Sequence, residues 1–136
     1  MSDFTPFEQL LAGHAGLLED SVHDRWVRAQ ALFEDRAYRE AALLLRELID
    51  LSEGAEVHAL TDARLLLARA YFHAALLDPA IAAAREVLAS DPGEAYAHLL
   101  IGRSLQRQSK HDEAAPHLRL ASLLGGYDEA SAITSA

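Results

Sequence analysis

A chain of 136 residues is long enough to form one domain with a buried core. It contains no cysteine, so disulfide bonds are excluded and packing alone must stabilise the fold, which is compatible with a reducing cytoplasm. Its net charge of −9 argues against nucleic acid as the main partner, because binding to phosphates needs a positive surface.

The first helical pattern lies close to the start of the sequence. Thr5 is followed by a proline, and a glutamate stands three residues after the threonine, which is typical of a helix start. Gly13 and Gly16 each weaken this helix by about 1 kcal/mol relative to alanine. We predict that residues 1–20 form an N-terminal helical extension or cap. Its apolar stripe consists of Phe7, Leu10, Leu11, Leu17 and Leu18.

Helical periodicity continues through almost all of the remaining sequence, with no strand pattern. One helical segment ends near Asp35. Asp78 and Pro79 form a helix start, with the aspartate as cap and the proline in the first turn. The further predicted helices are 38–53, 56–75, 78–90, 94–108 and 112–124. Residues 126–136 are predicted to form a short C-terminal cap or tail.

The most informative feature is a pattern of spacings that recurs after 34 residues. Steps of 3, 9 and 12 residues connect the positions Ala68, Tyr71, Ala80 and Pro92. The same steps connect Gly102, Leu105, Ala114 and Gly126. Repeats of this period indicate a stacked solenoid, in which one unit cannot bury its apolar face alone.

A third copy lies upstream, where steps of 3 and 9 residues connect Ala29, Leu32 and Ala41. The distance from Ala29 to Ala68 is 39 residues, five more than the later period. The extra residues fall around 52–60, so we expect a longer connection or extended helices there.

The segments AYFHAALLDPAIAAAREVLASDP and IGRSLQRQSKHDEAAPHLRLASLLG resemble the tetratricopeptide repeat. The resemblance implies an all-α fold, an α-solenoid of stacked antiparallel helix pairs that forms a right-handed superhelix. It also implies three repeats, at about 22–55, 61–94 and 95–126. In this family, one face of each first helix lines a concave groove that binds peptides.

The resemblance assigns fourteen residues to the peptide-binding groove. The first helix contributes His23, Trp26, Gln30 and Phe33. The second contributes Asp62, Leu65, Arg69, Phe72 and His73. The third contributes Tyr96, Leu99, Arg103, Gln106 and Arg107.

Aromatic and arginine side chains, the types enriched at binding hot spots, are concentrated on this predicted face. Three arginines form a positive strip on an acidic protein. We therefore predict a protein or peptide partner with apolar and acidic side chains. In the alternative interpretation, Trp26 and Phe33 are core residues under the N-terminal helix, and the arginines pair with internal glutamates.

The leading hypothesis for function is thus a non-enzymatic, cytoplasmic adaptor or scaffold that binds a partner in its groove. One alternative is a structural module that forms a homodimer through the N-terminal helix, and another is a regulatory subunit of a different enzyme. We predict no catalytic residue, cofactor or metal site, because the seven histidines are scattered and no phosphate-loop or zinc-binding pattern occurs. No signal peptide and no membrane span are predicted.

Overall fold

The computed structural model describes residues 22–52 and 57–127. The predicted extension at 1–20, part of the connection at 52–60 and the tail beyond Tyr127 lie outside the described residues. The first helix, α1, covers residues 22–34. It is followed by α2 (Tyr38–Leu51), α3 (Val57–His73), α4 (Leu77–Ser90), α5 (Ala95–Arg107) and α6 (His111–Gly125). These bounds agree with the predicted ones to within about two residues.

Consecutive helices run antiparallel and pack along their lengths. In the first pair, Arg25 near the start of α1 forms an ion pair with Glu47 near the end of α2. At the opposite end of this pair, the rings of Phe33 and Tyr38 meet edge to face at 5.2 Å. The later helices also pack in chain order, and α3 contacts α5 directly. The first helices α1, α3 and α5 therefore form one layer of the stack, and α2, α4 and α6 form the other.

The turns within the helix pairs have the same backbone structure. A residue in the left-handed region ends each first helix, and the next N–H donates back to a carbonyl five residues earlier, which is a Schellman motif. The left-handed residues are Arg36 (φ 64°), Ala75 (φ 61°) and Ser109 (φ 63°). The closing bonds are Ala37 to Leu32 (2.8 Å), Leu76 to Tyr71 (2.9 Å) and Lys110 to Leu105 (2.8 Å). These positions follow the spacing found in the sequence.

Small residues at the predicted positions allow the helices to approach closely. The alanines of the pattern are all buried, at 0 to 1% exposure: Ala29, Ala41, Ala68, Ala80 and Ala114. A Cβ on Gly102 would lie only 2.5 Å from Cδ2 of Leu118 on α6. A side chain at position 102 would therefore displace Leu118 and disturb the packing of α5 against α6.

The predicted cap at Asp78 is wrong. Helix α4 begins one residue earlier, at Leu77, and its N-cap is Leu76, which makes no side-chain cap hydrogen bond. Asp78 instead accepts a hydrogen bond of 2.7 Å from Nε2 of Gln108. The carboxylate thus connects α4 to the turn between α5 and α6, a long-range contact that a local cap pattern does not reveal.

Two histidines connect α5 to α6. His98 is buried, and its Nε2 lies 3.1 Å from the carbonyl oxygen of Pro92. Because a carbonyl only accepts, Nε2 carries the proton and Nδ1 of neutral His98 is an acceptor. His117 therefore donates from its own Nδ1, which lies 3.2 Å away. Burial, then His98, then Arg85 lower the pKa of His117, so the fold disfavours the charged form of this ring.

None of the described helices is long and apolar enough to cross a membrane.

We predict that Ala75→Gly stabilises the protein by about 1 kcal/mol, because glycine adopts the left-handed conformation without the penalty that a Cβ incurs. The neighbouring Ala74→Gly is the matched control. Ala74 has no positive φ, so its replacement should destabilise by about 0.5–1 kcal/mol. Urea unfolding of both variants measures the difference, and an equal loss of stability in the two would contradict the turn geometry.

The histidine pair predicts that stability falls as the pH drops below about 6.5, the ordinary histidine pKa. The unfolded chain takes up a proton there while His117, with its lowered pKa, stays neutral in the fold. His117→Asn should cost about 1–3 kcal/mol at pH 7.5, because it leaves a buried acceptor on His98 unsatisfied. It should also flatten the decline in stability between pH 7.5 and 5.5. His111→Asn, on the exposed first turn of α6, is the control and should keep the wild-type profile.

Candidate functional site

Half of the fourteen predicted groove residues are joined by direct contacts. These seven are Phe33, Arg69, Phe72, His73, Tyr96, Arg103 and Arg107. Tyr38, at the start of α2, contacts two of them and was not among the predicted residues. We call these eight residues the arginine–aromatic cluster. It lies along α1, α3 and α5, at the ends of α1 and α3 that lead into the second helices.

The other predicted groove residues have different environments. Leu99 is buried in the core, and Trp26 and Leu65 are partly buried against it. Gln106 is half-buried. The exposed residues of the set are His23, Gln30 and Asp62. No ring contact, cation–π contact or hydrogen bond is described between these seven and the cluster, so their part in a groove stays a prediction.

An arginine of each later first helix lies over a phenylalanine of the preceding one. The Cζ atom of Arg69 on α3 is 4.7 Å from the ring centroid of Phe33 on α1. The Cζ atom of Arg103 on α5 is 4.9 Å from the ring centroid of Phe72 on α3. Both distances are typical of cation–π contacts. The same interaction therefore joins α1 to α3 and α3 to α5.

Two of the arginines in the cluster make further contacts. The Cζ atom of Arg107 is 5.0 Å from the Phe72 centroid, and its Nη1 donates a 3.2 Å hydrogen bond to the Phe72 carbonyl oxygen. Arg69 also faces Tyr96, at 5.7 Å. Phe72 is only 2% exposed as a result of its neighbours, so it supports the arginines and does not itself form an open surface.

His73 lies among the aromatic rings at the edge of the cluster. Its imidazole stacks on Tyr38, with centroids 4.9 Å apart and planes inclined at 23°. The edges of Phe33 and Phe72 are each 5.6 Å away. Burial lowers the pKa of His73, and the positive charges of Arg69, Arg103 and Arg107 lower it further. His73 is therefore neutral at pH 7.

The three arginines of the cluster form no ion pair with any carboxylate in the described ranges. The ion pairs found there are Arg25 with Glu47 and Arg46 with Glu86. The Nε atom of Arg69 is buried without a hydrogen-bond partner. The alternative that these arginines pair with internal glutamates therefore does not describe this part of the chain; they contact aromatic rings instead.

Burial and charge act together on Arg103. Burial lowers its pKa, the nearby Tyr96 raises it, and Arg107 lowers it again. The guanidinium remains charged at any physiological pH. The three arginines thus form a positive group that no described carboxylate neutralises, on a protein whose net charge is −9.

Within the described residues, no group of three or more histidines, cysteines and carboxylates could hold a metal ion.

Comparison with solved structures identifies the fold. No protein-family model matches the sequence, and no curated protein matches it. Among solved structures, the Arabidopsis OM64 TPR domain is similar, with a TM-score of 0.72 and 18% identity over 83% of this chain and 91% of that one. The MamA MSR-1 C2 structure has a TM-score of 0.65 and 25% identity, covering 88% of this chain and 72% of that one. The MamA D159K mutant 2 structure has a TM-score of 0.66 and 25% identity, covering 93% and 67%.

The all-α, tetratricopeptide-like fold predicted from the sequence is therefore confirmed. The number of repeats and their bounds stay predictions.

The stacking of Arg69 on Phe33 predicts a measurable coupling in a double-mutant cycle with Arg69→Met and Phe33→Leu. Both replacements keep apolar bulk and remove the charge–ring contact. We expect a coupling of about 0.5–1 kcal/mol at this half-buried site. The control cycle removes Arg46 and Glu86, a half-exposed pair 3.5 Å apart. The control coupling should be no larger, and high salt should weaken it more. A zero coupling for Arg69 and Phe33 would contradict the stacked geometry.

Proposed function

We propose that this chain is a protein-interaction module and that its arginine–aromatic cluster binds a segment of a partner protein. The segment contributes acidic side chains to the arginines and apolar side chains to the surface beside them. This proposal keeps the groove hypothesis but centres it on the contacts described for α1, α3 and α5. The tetratricopeptide-like fold supports it, because in that family the corresponding face lines a peptide-binding groove.

The observation that carries the proposal is the set of three arginines without a carboxylate partner among the described residues. Stacking uses the face of a guanidinium, whereas its five N–H donors lie in its plane. The edges of Arg69, Arg103 and Arg107 are therefore available for acceptors, apart from the buried Nε of Arg69 and the Arg107 Nη1 that binds the Phe72 carbonyl. Carboxylates match these edges and form short, charge-assisted hydrogen bonds with them.

The aromatic rings beneath the arginines hold the donors in place. Arginine normally loses much side-chain freedom when it binds a ligand, at a cost of about 0.5–1.5 kcal/mol for each immobilised side chain. Here Arg69 and Arg103 lie on phenylalanine rings before any partner is bound. The arginine donors are thus preorganised, and the partly buried rings of Tyr38 and Tyr96 in the same cluster offer apolar area beside them.

The homodimer through residues 1–20 and the role as a regulatory subunit stay predictions, as does the cytoplasmic location. The N-terminal segment that the homodimer requires lies outside the described residues, and the described contacts favour neither alternative.

Selection from a library of random peptides on the immobilised full chain tests the proposal. We expect enrichment of sequences in which aspartate or glutamate stands near aromatic or large apolar residues. Labelled peptides from this set should bind the wild type with an affinity that weakens as salt is raised. The double variant Arg69→Gln, Arg103→Gln should lose at least about tenfold in affinity, equivalent to one lost charge-assisted hydrogen bond.

The matched control is Arg85→Gln. Arg85 is exposed on α4, in the other layer of the stack, so its replacement removes the same charge at a different place. It should leave peptide affinity within about twofold of the wild type, since exposed distant charges are screened. If the double variant stays folded by circular dichroism and binds the selected peptides as well as Arg85→Gln does, the cluster is not the binding surface.

A further inference from the structure

Two of the three arginines of the cluster lie over the same ring. Arg103 and Arg107 both lie over Phe72, with Cζ atoms 4.9 and 5.0 Å from its centroid. They are close enough that the charge of Arg107 lowers the pKa of Arg103. Two guanidiniums four residues apart on one helix repel each other, and in the described residues no carboxylate offsets this repulsion.

The two guanidiniums differ in how they are held. Arg107 is exposed and is tied at Nη1 to the Phe72 carbonyl, whereas Arg103 is half-buried and held by stacking. Of the N–H donors on these two side chains, only Nη1 of Arg107 has a hydrogen-bond partner among the described residues. Because both Cζ atoms lie within 5.0 Å of the same ring centroid, one acceptor group can bridge the two side chains.

Charge and oxygen number decide which anion fits such a pair. One carboxylate carries a single charge and two oxygens, which match one guanidinium in a bidentate arrangement. A phosphoryl group carries about −1.5 to −2 charges and three acceptor oxygens at pH 7, so two arginines can share it. The ring of His73 lies 5.6 Å from that of Phe72, so His73 borders the same place and adds a donor, and the charge of Arg69 also acts on His73.

We propose that Arg103 and Arg107, supported on Phe72 and bordered by His73, form a binding site for a phosphoryl group carried by a side chain of the partner segment. This inference rests on the proposed function and specifies the ligand of the same surface. It makes recognition depend on modification of the partner. Carboxylates occupy the cluster more weakly, because each one neutralises one arginine and leaves the other unpaired.

His73 reports on occupancy of this site independently of any partner. Arg69, Arg103 and Arg107 are the charged groups that act on its pKa, and no described carboxylate acts on it. A dianion between Arg103 and Arg107 offsets their charge, so it should raise the pKa of His73. The ring resonances of His73 therefore give a readout of anion binding in the full-length protein.

The experiment follows the pH titration of His73 by NMR in the full chain, with sulfate or with chloride at the same ionic strength. Sulfate is a dianion of the same shape as a phosphoryl group, and it does not change its own charge near neutral pH. We expect sulfate to raise the His73 pKa by about half a unit or more, as nearby opposite charge does. Acetate at the same ionic strength should raise it less.

Two variants separate site binding from a general salt effect. Arg107→Gln removes the exposed arginine and is expected to stay folded. It should raise the His73 pKa without any anion and abolish the further rise with sulfate. Arg85→Gln, on α4, should respond to sulfate as the wild type does. If sulfate and chloride give the same His73 titration, or if Arg107→Gln responds as the wild type does, the proposed site is excluded.

A short peptide containing one phosphoserine, compared with its serine form, distinguishes a peptide-borne group from a free anion. We expect the phosphorylated peptide to raise the His73 pKa at concentrations where the serine form has no effect. A rise with sulfate but none with the phosphopeptide would overturn the proposal. If neither sulfate nor the phosphopeptide changes the His73 titration while the selected acidic peptides still bind through Arg69 and Arg103, the proposed function stands and only this inference falls.

Discussion

The contact between a guanidinium and the phenylalanine ring of the preceding first helix is the interaction on which the architecture of this face depends. It joins α1 to α3 through Arg69 and Phe33, and α3 to α5 through Arg103 and Phe72. Each contact covers a large apolar ring while the charged edge stays in reach of solvent, because the long arginine stem packs and its head remains polar. The same side chains therefore close the core and create the charged surface.

Packing between the two layers follows a different rule. Gly102 of α5 lies so close to Leu118 of α6 that a Cβ there would displace the leucine side chain, and His98 and His117 form a hydrogen-bonded pair across the same two helices. One ring of that pair donates and the other accepts, and burial disfavours the charged form of His117. The contacts between α5 and α6 thus disfavour charge, whereas the face along α1, α3 and α5 concentrates it.

Spacing in the sequence was sufficient to predict the helices and the small residues between them. Ala68, Ala80 and Ala114 recur at fixed intervals because each helix pair must pack against its neighbour in the same way, and all are buried. The turns were harder to predict, since glycine is the usual residue in the left-handed position. Arg36, Ala75 and Ser109 adopt that conformation because the two flanking helices fix the chain direction, which overrides local preference.

The candidate site was predictable in its residue types but not in its contacts. Helical periodicity placed Arg69, Phe72 and Arg103 on one face, and all three belong to the cluster. It could not show that Phe72 is buried, because a helical projection locates a side chain on its own helix and not against the next one. Tyr38 was missed for the same reason, as it enters the cluster from the start of a second helix by stacking on His73.

The proposed selectivity for an anionic partner follows from the contrast between the cluster and the rest of the chain. With 21 acidic and 12 basic residues, the protein as a whole repels anions, and a partner segment with negative charge gains nothing from most of its surface. In the described part of the chain, the three arginines of the cluster lie together without a carboxylate partner, so the local charge there is positive. Repulsion from the acidic remainder of the surface disfavours other docking positions, and attraction to the arginines favours the proposed one. On its own, the acidic composition indicates only solubility. In the proposed function it also helps to direct an anionic partner segment to the cluster.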